Sequence, residues 1–315
     1  MPIAKLSPVV TGTLGYDYIM DFPGKFVDRI MPDKIHQLSL SFLVDTLQKQ
    51  FGGTAGNIAY TLKLLGCEPF LIAATGKDFS EYMKFLKKRS LQTSGIRVFK
   101  DANTSAYFVV TDMDDNQIGS FYLGATKHAD TLSLIKAEFV VISSNTPTAL
   151  ASYVKQCVAK KMRYLYDPAF QIGELPIDEL RDGITHAEIF IGNDYEIALT
   201  EKRLNISHTQ LLGMVPIVIT TLGSKGSRIE SHGKIIEIGP AKAKAVVDPT
   251  GAGDAYRGGF IAGYLRKFDL QTCGQMGSIA AVYTVEKYGT ITHSFTKPAF
   301  EKRYKDNYNQ VLSLA

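Results

Sequence analysis

The sequence predicts an α/β chain: a doubly wound, mostly parallel sheet flanked by helices, with a small β-rich lid. Three observations predict it. Short β-rich apolar runs alternate with longer helical patterns from about Phe70 onward, as strands joined by crossover helices do. Two stretches, Tyr16 to Gln50 and Thr104 to Gly124, break that rhythm and have no helix of their own to cover a sheet face. At 315 residues the chain is long enough for one large α/β domain with such an appendage.

The candidate strands are Pro8 to Gly12, Phe70 to Ala74, Glu138 to Ser143, Arg163 to Asp167, Glu188 to Gly192 and Pro216 to Leu222. Helices are expected at Ala55 to Leu65, Phe79 to Arg89, Ala149 to Lys160 and Tyr195 to Lys202, the second introduced by Asp78 as a cap. Within the second irregular stretch, Ala106 to Thr111 and Gln117 to Tyr122 flank Asp114-Asp115-Asn116. That pattern reads as a β-hairpin whose turn suits Asp and Asn. The two stretches, about residues 16–50 and 104–124, are expected to form the lid of a single domain spanning residues 1–315, covering a ligand or another subunit.

Composition narrows the class. A hydrophobic fraction of 45% and a charged fraction of 21% are ordinary globular usage and favour neither a disordered nor a fibrous chain. The net charge of +4 is spread out, which argues against nucleic acid as the main partner. Cys67, Cys157 and Cys273 lie far apart without Cys-x-x-Cys spacing, so neither a metal knuckle nor a disulfide framework is expected. With no signal-peptide pattern in the first residues and no apolar run approaching the ~18 residues of a span, the expected location is the cytoplasm, away from membranes.

The chemistry concentrates in two glycine clusters. Asp248-Pro-Thr-Gly251-Ala252-Gly253-Asp254 follows Lys244 to Val247, read as a strand, and precedes a helical pattern in which Phe260, Tyr264 and Phe268 recur at i, i+4. Glycines at a helix N-terminus let an anion approach unpaired backbone N–H groups and the positive end of the helix dipole. A carboxylate at the edge of such an anion hole can take a proton from an attacking hydroxyl. Read alone, Asp254 suits a helix-starting acid behind a tight turn better than a catalyst. Upstream, Phe51-Gly52-Gly53-Thr54-Ala55-Gly56-Asn57 opens a second helix; the Asn57 amide offers a donor and an acceptor to a hydroxyl, or the loop is a plain turn.

Together these segments resemble the two signatures of the ribokinase or PfkB family of carbohydrate and nucleoside kinases, in the right order and about two hundred residues apart. The resemblance implies a ribokinase-like fold and an ATP-dependent kinase. It gives Asp254 the role of general base and Gly251, Ala252 and Gly253 that of the anion hole. Asn193 and Glu196, in Asn193-Asp-Tyr-Glu196, look like the family element that acts near Mg²⁺ and the ATP phosphates, Glu196 through ordered water. Thr221, Gly223 and Gly226 resemble its nucleotide loop, and Gly277 to Gly289, including Ala281, the lining of the adenine pocket. Thr13 and Asp17 align with the element that binds substrate hydroxyls, beside Gly53, Thr54 and Asn57. A monovalent cation, K⁺, is a further option at Asp248 and Thr250, although His293 stands where a serine is common.

For substrate, the likeness is greatest to bacterial adenosine kinase-like members, which implies phosphorylation of a nucleoside 5′-hydroxyl, adenosine to AMP. Phe121, Tyr107 and Phe170 suit stacking on a purine, and they suit core packing at least as well. A kinase of ribose, fructose or another sugar with the same machinery is the alternative. A non-catalytic nucleoside sensor is a reading of another class, disfavoured by the intact Asp254 and Glu196. Either a monomer or a homodimer fits.

Overall fold

A computed structural model describes residues 6–31, 39–114 and 116–314. Part of the expected lid segment, residues 32–38, and Asp115 of the expected turn lie outside the described residues. In chain order the strands are β1 (Val9–Thr11), β2 (Gly15–Asp21), β3 (Thr46–Gly52), β4 (Phe70–Gly76), β5 (Ile96–Phe99), β6 (Ser105–Thr111), β7 (Gln117–Tyr122), β8 (Phe139–Ile142), β9 (Arg163–Tyr166), β10 (Ile189–Asn193), β11 (Ile217–Thr221), β12 (Ser227–Ser231) and β13 (Lys234–Ile238). The α-helices are α1 (Thr54–Leu64), α2 (Ser80–Lys88), α3 (Pro147–Ala159), α4 (Ile177–Thr185), α5 (Asp194–Leu204), α6 (His208–Met214), α7 (Ala252–Leu265), α8 (Leu270–Val285) and α9 (Lys297–Tyr308).

The large sheet has the order β13-β12-β11-β10-β9-β8-β1-β4-β5. It is parallel from β11 to β5, and only the β12 and β13 edge runs antiparallel. All six expected strands belong to it. Its inner strands are buried on both faces, so they read as continuous apolar runs rich in Val, Ile and Phe with no alternation. One face packs on Phe260, Met276 and Ile279 of α7 and α8; the other packs on Tyr153, Leu180 and Leu211 of α3, α4 and α6. Each such side chain contributes about 1.5–3 kcal/mol by burial.

Strand order reverses at β1, which has β4 on one side and β8 on the other. In open α/β sheets, ligands bind at the carboxyl ends beside such a switch. The chain leaves β1 there and enters the second sheet, of order β3-β2-β6-β7, which is the lid. One of its faces is anchored on α2: Phe51 stacks on Tyr82 at 4.5 Å, and Lys49 pairs with Glu81 at 3.0 Å.

Two local expectations are corrected. Lys244 to Val247 is not a strand: Val246 and Val247 are exposed, and Val247 N and Asp248 N both donate to Val285 O, so the segment is pinned to the end of α8. Asp78 does not cap α2; its Oδ1 accepts from Thr104 N at 2.7 Å and ties the helix entrance to the lid. The expected hairpin is present as β6 and β7, with its turn organised by Asp112, whose Oδ1 accepts from Asp114 N and Asn116 N, both at 2.9 Å.

Candidate active site

The first cluster is assembled where β1 ends. Gly53 has φ of +91°, and a Cβ there would stand 2.5 Å from Thr13 O, so only glycine allows β3 to turn into α1 against the β1–β2 connection. Thr13 then fastens the start of α1: its carbonyl accepts from Ala55 N at 3.1 Å and its Oγ1 from Thr54 N at 3.2 Å. The Thr54 hydroxyl meets Ser143 Oγ at 2.9 Å, just beyond β8. Thr13 and Thr54 thus hold the switch point together.

This geometry aims Asn57 across the cleft. Its Nδ2 donates to Asp254 Oδ2 at 2.8 Å, while its Oδ1 is buried with no partner among the described residues. The donor half of the amide is therefore used on Asp254, and the acceptor half is open to a hydroxyl. Asp254 sits in the first turn of α7 and keeps a partly exposed side chain. Burial pushes its pKa up to about 7, with Arg257 and Asn57 pulling down and Asp167 and Asp17 pushing up. Gly251, with φ of +77°, turns the chain into α7. The Ala252 amide closes that turn onto Pro249 O at 3.2 Å; those of Gly251, Gly253 and Asp254 make no backbone bond among the described residues.

Above this floor lies one row of the lid. Asp17 is paired with Gln50 on one side and with Tyr107 on the other, and Tyr107 is paired with Phe121. Directly paired residues share a sheet face, so Gln50, Asp17, Tyr107 and Phe121 line up across four strands. The row is held at both ends by the large domain. A Cβ on Gly289 would overlap Gln50 Oε1, and the Phe121 ring lies 6.4 Å from the Phe170 ring in an edge-on arrangement. Phe121 and Phe170 are 47% and 62% exposed and Tyr107 is half-buried, so none of the three is core. Burial, and then the charge of Asp248, pushes the Asp17 pKa up to about 6.

A second cluster forms at the ends of β10 and β11, which run in register: Asn193 pairs with Thr221. Asn193 and Glu196 form a reciprocal capping box, Glu196 N to Asn193 Oδ1 and Asn193 N to Glu196 Oε2, both at 2.8 Å. Glu196 is raised from its ordinary value, by burial first and then by Asp167. After Thr221 the chain turns through Gly223 and Gly226 into β12, where Ser227 Oγ meets Tyr256 Oη at 2.7 Å and links the loop to α7. Ala281 is half-buried on α8 between buried Ala280 and Val282. Asp248 spends both oxygens on backbone amides, Thr250 N and Gly289 N at 2.9 Å each.

The model of the pfkB family of carbohydrate kinases matches residues 20–297. The chain belongs to the pfkB family of carbohydrate kinases. Among relatives, it is 32% identical over 265 residues to a nucleoside kinase of Methanocaldococcus jannaschii, covering 83% of this chain and 87% of that one. A nucleoside kinase of Methanothermobacter thermautotrophicus is 30% identical over 295 residues, covering 90% and 91%. The structure of a Burkholderia thailandensis nucleoside kinase in complex with inosine superposes with a TM-score of 0.89 at 28% identity, covering 96% and 99%.

In this pfkB-family kinase, among the described residues, no group of three or more His, Cys, Asp or Glu side chains is arranged to hold a metal ion. Glu196 spends Oε2 on Asn193 N, and its Oε1 makes no hydrogen bond among the described residues. No helix of the described residues is long and apolar enough to cross a membrane. His293 is a buried neutral histidine: burial lowers its pKa to about 4, and its carbonyl accepts from Tyr60 Oη at 2.6 Å. Sequence reasoning missed Ser143, Gln50 and the Asp167–Arg257 pair. Asp167 follows β9 at the carboxyl edge of the sheet, and that position was the available signal.

Proposed function

We propose that this kinase transfers the γ-phosphoryl group of ATP to the 5′-hydroxyl of a nucleoside, a purine nucleoside such as adenosine foremost. The observation that carries the nucleoside reading is the lid row. Asp17 accepts hydrogen bonds from the ribose diol, with the free Asn57 Oδ1 beside it. Phe121 stands two strands away, about 10 Å at the ~4.8 Å spacing of neighbouring strands. A purine carried on that ribose extends along Tyr107 toward Phe121 and Phe170, whereas a simple sugar ends short of both rings. The nucleoside kinase relatives support the same reading.

Asp254 takes the proton of the 5′-hydroxyl as its oxygen forms a bond to the γ-phosphorus in line with the departing ADP oxygen, which keeps the electron pair of the broken bond. The amides of Gly251 and Gly253 at the start of α7 receive the phosphoryl charge, with Ala252 holding the turn that presents them. Thr221, Gly223 and Gly226 give room to the ATP phosphates and ribose beyond β11, with Ala281 at the adenine and Asn193 shaping the end of β10. Mg²⁺, held by Glu196 through water, would neutralise phosphate oxygens. Potassium at Asp248 and Thr250 has less support, since a cation there would share a carboxylate already bound to two amides.

ATP consumption measured with adenosine, inosine, cytidine, ribose and fructose 6-phosphate tests the reading. Turnover with nucleosides and little with the sugars is expected; turnover confined to a sugar would overturn it.

A further inference from the structure

Arg257 follows Asp254 by three positions on α7, so the two side chains share a helix face. It is 7% exposed, and its partner Asp167 is 1% exposed. Nη2 donates to Asp167 Oδ1 at 2.8 Å, and Nε lies against Asp167 Oδ2 as an ion-pair contact in which it makes no hydrogen bond. Asp167 is itself fixed, its N–H bonding Ile142 O at 2.9 Å across the β8–β9 edge. The third nitrogen, Nη1, points away from Asp167 and lies against the anion loop: a Cβ added to Gly253 would come within 2.9 Å of it. The guanidinium is thus held from β9 and pressed behind the loop that opens α7.

A buried ion pair adds little net stability over an apolar pair of the same volume, because both charges must be desolvated. Here the pair has a location that gives it another use. The groups whose charge bears on Asp254 are Arg257, Asp167 and Asp17; Tyr82, the neighbouring phenol, stays neutral with its hydroxyl on Gly52 O. Arg257 is the cation among them, set against two carboxylates that favour a protonated Asp254. Glu196 also feels Arg257, so the guanidinium acts on both the acceptor and the donor halves of the cleft.

We infer that Arg257, clamped by Asp167, is a positioning residue for phosphoryl transfer: its fixed positive charge behind Gly253 favours the carboxylate form of Asp254 and reinforces the anion loop, and Asp167 tempers that charge. The inference rests on the reading of Asp254 as the base. It requires opposite effects from the two partners, which a merely structural pair would not give.

The experiment is the pH dependence of kcat and kcat/KM, with ATP and the best nucleoside, for the wild type, Arg257→Gln, Asp167→Asn and the double variant. Activity needs the Asp254 carboxylate, so it rises through an acid limb near pH 7. Arg257→Gln moves that limb up by about one pH unit, costing about tenfold in turnover at pH 6. Asp167→Asn moves it down. The double variant, which keeps a neutral hydrogen-bonding pair and serves if Arg257→Gln does not fold, lies above the wild type by less than the single Arg257 change. A limb that ignores all three changes, or shifts the same way in both single variants, overturns the inference alone. A wild-type profile with no such limb, together with an active Asp254→Asn enzyme, overturns the base assignment and the inference with it.

Discussion

Asn57 Nδ2 and Asp254 Oδ2 are joined by a 2.8 Å hydrogen bond across 197 positions of sequence. The two glycine-rich loops are therefore halves of one site, and the bond favours the ionised carboxylate. Asn57→Leu removes it without adding charge. The acid limb of kcat should move upward from about 7, and turnover at pH 6 should fall several-fold more than at pH 8. A pH profile that keeps its wild-type midpoint would show that Asn57 does not bias the base.

A second acid limb is expected from Asp17. With its pKa near 6, it loses its charge as pH falls through that value, and a protonated carboxyl accepts diol hydrogen bonds poorly. The KM for the nucleoside should rise between pH 7 and pH 5 while that for ATP stays level. Asp17→Asn should raise the nucleoside KM by about 10–100-fold at pH 7.5, the cost of a hydrogen bond to a charged group. Equal changes in both KM values would place Asp17 elsewhere in the cycle.

The Phe121 and Phe170 rings are exposed, so truncating them should leave stability within about 0.5 kcal/mol of wild type. Phe121→Ala and Phe170→Ala should each raise the nucleoside KM about 3–10-fold through lost aromatic contact. Slow phosphorylation of free ribose, which does not reach them, should be unaffected. An equal loss on both substrates would assign the rings to lid closure and away from base recognition.

Gly53→Ala tests the backbone at the switch point. The positive φ alone costs about 1–2 kcal/mol for a residue with a Cβ, and contact with Thr13 O at 2.5 Å adds to it. A loss of about 2–4 kcal/mol is expected in urea unfolding. Gly213→Ala, in α6 with open space around it, serves as the comparison and should gain up to about 1 kcal/mol.

The large sheet is legible because its strands are buried on both faces and its helices are long; Val9–Thr11 and Phe139–Ile142 are buried throughout. Lys244 to Val247 has the same β-branched character, but its side chains are exposed and its amides turn to α8. Only tertiary position distinguishes the two cases. The motif residues could be picked out from the sequence, while the contacts they make could not. Thr13 and Thr54 hold the loop, Glu196 completes a capping box, and the Asn57 donor serves Asp254. Arg257 and Asp167 were not legible as a pair, being 90 positions apart with no motif between them. The pairing of Asp17 with Tyr107, and of Tyr107 with Phe121, is a matter of strand register, which no local pattern encodes.

The most direct measurement is the turnover of Asp254→Asn with saturating ATP and adenosine, alongside binding of both ligands by calorimetry. Asn keeps the size of the side chain and removes the proton acceptor. Turnover should fall by about 10²–10⁴-fold, the usual contribution of a positioned base, with both affinities retained. Turnover near the wild-type value, with binding intact, would contradict Asp254 as the base.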